Sequence, residues 1–189
     1  MTDLLQTILT ITNIPAPEEE KLRAIVRSQQ LKKGDLFIKE GSVPQKFAFV
    51  SSGLFRYFYV SKKGREFTKG FFQEHSFIVS YSAMIKQAPS HHAIEALEDS
   101  RVHVIDYQKW LQLYNNHPCW TPLLVSLLQK GYIKKEARER EFLLLDARER
   151  YESFLRECPG LEHRIKQHHV ASYLGITPVA LSRIRGKIK

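Results

Sequence analysis

The chain has 189 residues, 43% hydrophobic and 26% charged, enough for one large domain or two small ones and typical of a folded globular protein. Its net charge of +9 favours a polyanionic partner, nucleic acid or an anionic membrane surface, while the lack of any run of about eighteen apolar residues excludes a membrane-spanning helix. Met1-Thr2-Asp3-Leu4 lacks the basic start and apolar core of a signal peptide, and the two cysteines, Cys119 and Cys158, make no disulfide framework and cannot alone hold an iron–sulfur cluster or a structural zinc, so a cytoplasmic protein is expected.

Residues 1–28 read as helical. Leu4, Leu5, Ile8, Leu9 and Ile11 form an apolar stripe, and Pro15 and Pro17 interrupt it. Glu18, Glu19 and Glu20 open a second short helix, where acidic side chains suit the positive end of the dipole; Leu22, Ile25 and Val26 face inward. From Gln29 the texture changes. Short segments rich in Phe, Tyr, Val and Ile alternate with turns at Gly34-Asp35, Gly41-Ser42, Ser51-Ser52-Gly53 and Lys62-Lys63-Gly64. The segments are Leu36 to Lys39, Phe47 to Val50, Leu54 to Val60, Glu66 to Phe72, Phe77 to Ser80, His92 to Leu97 and Arg101 to Ile105. About seven strands at roughly 8–12-residue spacing predict a sandwich or barrel. Asp106 then caps a short helix to His117, with Trp110, Leu111 and Tyr114 inward.

After Pro118 a long helix runs from about Trp120 to Leu145, with Pro122 tolerated in its first turn. Leu123, Leu124, Leu127 and Leu128 give it an apolar band. Tyr132, Ile133, Ala137, Phe142, Leu144 and Leu145 follow Gly131. The densely charged interval Lys134 to Glu141 reads as a solvated face. A long, partly apolar helix is a natural dimer seam, and Leu124, Leu127 and Leu128 are its expected core. Asp146 to Glu157 makes one more helix, and Pro159-Gly160 a turn.

The stretch Gln167 to Ile188 reads as two helices joined by a tight turn, a helix-turn-helix. Val170 and Leu174 share one face, Ala171 is small where two helices cross, and Gly175 suits a left-handed C-terminal cap. Ile176 fills the corner. Thr177 is an N-cap and Pro178 takes the first helical position. Leu181, Ile184 and Ile188 form the buried stripe of the second helix, and Ser182, Arg183, Arg185 and Lys187 fall largely off it, placed to meet phosphates or base edges. An ordinary helical hairpin shares the glycine, the cap and the spacing. Against that plainer reading, the basic residues Arg164, Lys166, Arg183, Arg185, Lys187 and Lys189 follow His163 with no Asp or Glu among them.

Other chemistry finds little support. His91-His92 and His168-His169 are adjacent pairs whose members point different ways, so neither makes a metal site alone. A cupin-like, metal-dependent small-molecule enzyme with a helical tail is the alternative for a jelly roll. It requires a His-x-His set with a glutamate and a further histidine, which the sequence lacks. Cys119 has His117 nearby but no residue to complete a triad, and no phosphate-cradling glycine loop occurs. No catalytic residue, metal or cofactor is therefore assigned.

The order of N-terminal helices, roll, long helix and terminal helix-turn-helix resembles the Crp/Fnr family of bacterial transcription regulators, over nearly the whole chain. In the roll the likeness rests on Leu31-Lys32-Lys33-Gly34-Asp35-Leu36-Phe37-Ile38-Lys39-Glu40-Gly41 and Phe49-Val50-Ser51-Ser52-Gly53-Leu54-Phe55-Arg56; near the C-terminus it rests on Val170 to Thr177 and Leu181-Ser182-Arg183-Ile184. The resemblance implies an α+β fold: an N-terminal double-stranded β-helix (jelly roll) sensor, a long connecting helix, and a helix-turn-helix domain with a truncated wing. The implied boundaries are residues 1–117, 118–145 and 146–189. It also implies a homodimer that binds double-stranded DNA through Thr177, Ser182, Arg183, Arg185 and Lys187, with an unidentified small-molecule effector and RNA polymerase as further partners and no membrane.

Three departures qualify the likeness. Cyclic-AMP-binding members carry a Gly-Glu-Leu-Gly phosphate cassette followed by an Arg-Ser or Arg-Thr pair. Here the cassette region reads Phe72-Gln73-Glu74-His75-Ser76-Phe77 and the arginine position falls at Ser90. The Arg-Glu pair that opens several members' recognition helices is Pro178-Val179, and the chain ends at Lys189 without room for the usual wing. The pocket candidates are Phe72, Glu74, Ser76, Ser90, His91 and His92. The expectation is a roll that does not answer to cyclic AMP, holding another small ligand or filled by Phe71, Phe72 and Phe77.

Overall fold

The computed structural model describes residues 1–188. Helix α1 (Thr2–Leu9) and helix α2 (Ala16–Ile25) lead into eight strands: β1 (Val26–Leu31), β2 (Leu36–Ile38), β3 (Lys46–Ser52), β4 (Phe55–Val60), β5 (Glu66–Phe72), β6 (Phe77–Ile78), β7 (Ala93–Ala96) and β8 (Ser100–Asp106). A short helix α3 (Tyr81–Lys86) interrupts the strands. Helices α4 (Tyr107–Asn116), α5 (Trp120–Leu144), α6 (Ala147–Glu157), α7 (Leu161–Arg164), α8 (Gln167–Leu174) and α9 (Pro178–Ile188) complete the chain. The strands form two four-stranded sheets, in the orders β1-β8-β3-β6 and β2-β7-β4-β5.

The seven predicted strands are all present. The eighth, β1, lies where the sequence predicts the end of a helix. Its polar run Arg27-Ser28-Gln29-Gln30 imitates a helix surface, but it pairs antiparallel with β8 along its whole length, Val26 against Ile105 and Leu31 against Ser100. In this edge strand Leu31 alone is buried, so it carries little apolar alternation, which hides it from pattern reading. The predicted strand Phe77 to Ser80 shortens to two residues because Ser80 is the N-cap of α3. Helices α3 and α7 span six and four residues, too short for a helical period to show.

The contacts divide the chain into two compact units: Met1–Tyr59 with Phe71–Gln129, and Val60–Gly70 with the chain from Lys130 onward. In the first unit the two-residue period of a strand builds two cores. Ala48 and Val50 of β3 point into the roll with Phe37, Phe55, Tyr57, Ile94 and Val102. Phe49, between them, points the other way, onto Leu4, Ile8, Leu22, Trp110, Trp120 and Leu123 of the helices. Each such large side chain contributes about 1.5–3 kcal/mol on burial. Glu18 is buried in the helical layer; it accepts a bond from Lys21 at 2.6 Å and one from the Trp120 indole at 3.0 Å, and these hold its carboxyl below the usual range. Gly53 closes the β3–β4 turn with φ +112, where a Cβ would fall 2.0 Å from Ser100 Oγ.

In the second unit the predicted helix from Asp146 is α6, and Asp146 is its N-cap. Its Oδ1 accepts from the amides of Arg148 and Glu149, and Glu149 answers to the Asp146 amide in a reciprocal capping box. The core here is Tyr151, Phe154, Leu161, Ile165, Val170, Tyr173, Leu174 and Leu181.

Candidate functional site

The C-terminal motif is assembled from the residues that predict it. Val170, Ala171 and Leu174 are buried. Gly175 ends α8 at φ +71, and the Ile176 amide reaches back to the Ala171 carbonyl at 3.0 Å, closing the helix with a left-handed cap. A Cβ on Gly175 would also lie 2.8 Å from the Phe142 ring, so the position excludes a side chain twice over. Thr177 caps α9 by accepting the Ala180 amide at 3.1 Å. Leu181 is the buried anchor of α9. Ile184 is half-buried and Ile188 is 37% exposed, so the predicted stripe weakens toward the end of the helix.

The opposite face of α9 is open to solvent. Thr177, Ser182, Arg183 and Lys187 are exposed and Arg185 is half-exposed. None of the four charged or hydroxyl side chains beyond the cap has an ion pair or side-chain hydrogen bond among the described residues. Val179 is 62% exposed beside them.

Two arginines that the sequence does not single out hold α8 in place. Arg138 donates to the Tyr173 carbonyl at 2.6 Å and lies 3.7 Å from the Tyr173 ring centre. Arg150 donates to the Leu174 carbonyl at 3.2 Å. Cations at the C-terminal carbonyls answer the negative end of the helix dipole. Burial lowers the Arg138 pKa, yet the group stays charged. The sequence predicts a solvated face from Lys134 to Glu141; Arg138 and Glu141 turn instead toward protein, and Glu141 bonds Ser153. Ser172 ties the β5 segment of this unit to α8. Its hydroxyl accepts the Thr68 amide at 2.9 Å and donates to the Glu66 carbonyl at 3.2 Å.

The roll's interior differs from the prediction. Its central ring is Tyr57, which the sequence does not mark. Tyr57 stacks on Phe72 at 4.1 Å and on His92 at 5.2 Å between ring centres. Its hydroxyl accepts the Val79 amide at 2.6 Å, and burial pushes its phenol up, so it stays neutral. Phe77 does not fill the roll: it packs against Phe47 and Phe49 on the helical side, because β6 presents Ile78 inward. Ser90 is buried and its hydroxyl bonds Ser80 Oγ at 2.8 Å and the His92 carbonyl at 2.7 Å. Glu74 accepts the Gly53 amide at 2.9 Å. Ser76 lies in a tight turn with His75 at φ +62; the His75 amide bonds the Val50 carbonyl and the Ser76 amide bonds Gln73. His91 is exposed. The structure thus joins Phe72, Ser90 and His92 around Tyr57, and engages Glu74 and Ser76 in their own turns.

Along α5, Leu124 and Leu127 are half-buried and Leu128 is 42% exposed. Leu127 packs against the helical core of its own unit, and the open apolar positions of the helix are Val125, Leu128, Tyr132, Ile133, Phe142, Leu143 and Leu144. The His168 and His169 rings tuck together, 4.0 Å between centres, rather than diverging. Among the described residues no three His, Cys, Asp or Glu side chains converge as a metal-binding set, and no helix is long and apolar enough to cross a membrane.

These features define a class: a β-roll followed by a long helix and a helix-turn-helix. Residues 28–117 match the cyclic nucleotide-binding domain family. Solved structures share the fold over most of the chain. The c-di-GMP-responsive global regulator CLP of Xanthomonas campestris is 15% identical, with 92% of this chain and 91% of that one covered at a TM-score of 0.74. FixK2 of Bradyrhizobium japonicum is 17% identical, with 87% and 84% covered at 0.76. A regulator of the crp/fnr family from Eubacterium rectale is 17% identical, with 90% and 82% covered at 0.73. A search of curated protein sequences finds no match. Residues 28–117 are thus similar to the cyclic nucleotide-binding domain family, and the chain has the fold of the Crp/Fnr transcription regulators.

Proposed function

We propose that the protein is a sequence-specific, double-stranded-DNA-binding transcription regulator, not an enzyme, acting as a cytoplasmic homodimer. The observation that carries this reading is the open face of α9, where Arg183 and Lys187 are exposed opposite the buried Leu181. A basic face with no acidic side chain from His163 to Ile188 is an electrostatic footprint for phosphates. Arg183 meets a guanine, whose two major-groove acceptors fit the guanidinium fork. Thr177, Ser182, Arg185 and Lys187 contact the backbone around it.

Leu128, with Val125, Tyr132, Ile133 and the half-buried Leu124, forms the dimer seam. A two-fold protein places two recognition helices about one helical turn apart and so reads a palindrome. RNA polymerase is the further partner of such a regulator.

The roll does not take cyclic AMP. A buried cyclic phosphate needs a paired cation and free backbone amides. The cluster at the roll's core is apolar, and the buried Arg56, next in β4 to Phe55 and Tyr57, is paired with Glu95. The His75 and Ser76 amides, in the position of the cassette, already have acceptors. The stacked Phe72, Tyr57 and His92 rings occupy the interior, and an effector, where one acts, is of another chemical kind.

Selection of binding sites from random duplexes tests the reading. The expected product is a palindrome bound by a dimer, with Arg183→Ala relaxing one position in each half. A monomer by sedimentation in the presence of the selected duplex contradicts the dimer. Titration calorimetry with cyclic AMP and cyclic GMP is expected to show no binding; a low-micromolar affinity abolished by a Ser90 or His92 substitution contradicts the account of the roll.

A further inference from the structure

Two residues on α9 have no role in its own fold. Val179 is 62% exposed at the second helical position, so its branched side chain packs little and favours no helix. Gly186 sits inside the same helix without a positive φ, and a methyl group added there meets nothing within 4 Å. Glycine in a helix interior weakens it relative to alanine, so neither backbone nor packing accounts for this one. At 3.6 residues per turn, Val179, Arg183 and Gly186 follow at i, i+4 and i+7 and form one strip, with Ser182 and Lys187 on its flanks.

A surface that approaches the strip closely accounts for both. The first residues of a recognition helix are the ones that reach base edges. On the major-groove edges of the bases the apolar feature is the C5-methyl of thymine. A carboxylate at the second position accepts from the cytosine amine, whereas valine has no polar atom to offer and fits a methyl. We propose that Val179 packs against the C5-methyl of one thymine in each half-site, with Gly186 letting the helix settle deeply enough for that contact. The proposal rests on the DNA-binding reading above and adds a second specificity contact beside Arg183.

The test uses the full-length protein and its selected duplex. Each thymine is replaced in turn by deoxyuridine, which removes the methyl and nothing else. At one position per half-site the replacement is expected to weaken wild-type binding by about three- to fivefold, the scale of one buried methyl. Val179→Ala is expected to lose a similar factor on the thymine duplex and to bind thymine and uracil equally at that position. Val179→Leu keeps an apolar tip and keeps the discrimination. The side chain is exposed, so thermal melts of the variants should match the wild type. The proposal is overturned when no thymine is methyl-sensitive, or when Val179→Ala discriminates as the wild type does. A failure to select any duplex overturns the DNA-binding reading itself, a distinct result from a selected site without a methyl-sensitive position.

Discussion

Arg56 and Arg183 are the same residue type in opposite circumstances. Arg56, on the roll, is 2% exposed, bonded to Glu95 at 2.8 Å and laid over the Phe58 ring. Arg183, on α9, stands in solvent with no ion pair among the described residues. The contrast extends to their regions. The roll's interior pairs several of its polar groups from within: Tyr57 with the Val79 amide, Ser90 with Ser80 and His92, the turn amides with carbonyls. The outer strip of α9 answers none of its own among the described residues. Buried polar groups must be paired to be tolerated, whereas exposed ones are under no such demand. An unanswered, one-sign face is therefore where a partner is to be sought.

Substitutions can break this contrast, and the roll should respond most. Tyr57→Ala removes the middle of a three-ring stack and is expected to cost about 3–5 kcal/mol in denaturant unfolding, without creating an affinity for cyclic AMP. Gly175→Ala forces a Cβ into a left-handed backbone and against Phe142, and should cost about 2–3 kcal/mol by the same measurement. Arg183→Ala should change stability by no more than about 0.5 kcal/mol yet weaken binding to the selected duplex by about 1–3 kcal/mol. A loss of stability comparable to that of Gly175→Ala would place Arg183 in the fold rather than at the interface. The smallest effect sharpens the contrast most: Gly186→Ala should raise stability by about 0.5–1 kcal/mol while weakening DNA binding, a separation that only a surface shaped for a partner produces.

Much of this was legible in the sequence, for identifiable reasons. Glycine and cap chemistry place Gly175, Thr177 and Asp106 because each turn or cap accepts few residue types. Short runs rich in Phe, Tyr, Val and Ile between turn signals mark seven strands, helped by the burial of both faces of β3. The edge strand β1 escapes because Leu31 is its one buried residue, which leaves no alternation to read. Tyr57 escaped because inward direction depends on register, not on residue type. Arg138 escaped because its acceptors, the carbonyls at the end of α8, are 35 residues away in sequence and carry no side-chain signature. Leu127 packs on its own helical core, which the sequence leaves open because a helical stripe does not say which of two apolar partners it faces.

The central claim is that the open face of α9 is a phosphate-binding, base-reading surface presented twice. It is tested most directly by the salt dependence of binding to the selected palindrome, measured between about 50 and 200 mM salt beside a scrambled duplex. With Arg185 and Lys187 each neutralising a phosphate in both copies, the logarithm of affinity should fall against the logarithm of salt with a slope of about −3.6 or steeper, and the palindrome should hold its advantage throughout. A slope near zero, or equal affinity for palindrome and scramble at every salt concentration, would contradict the account.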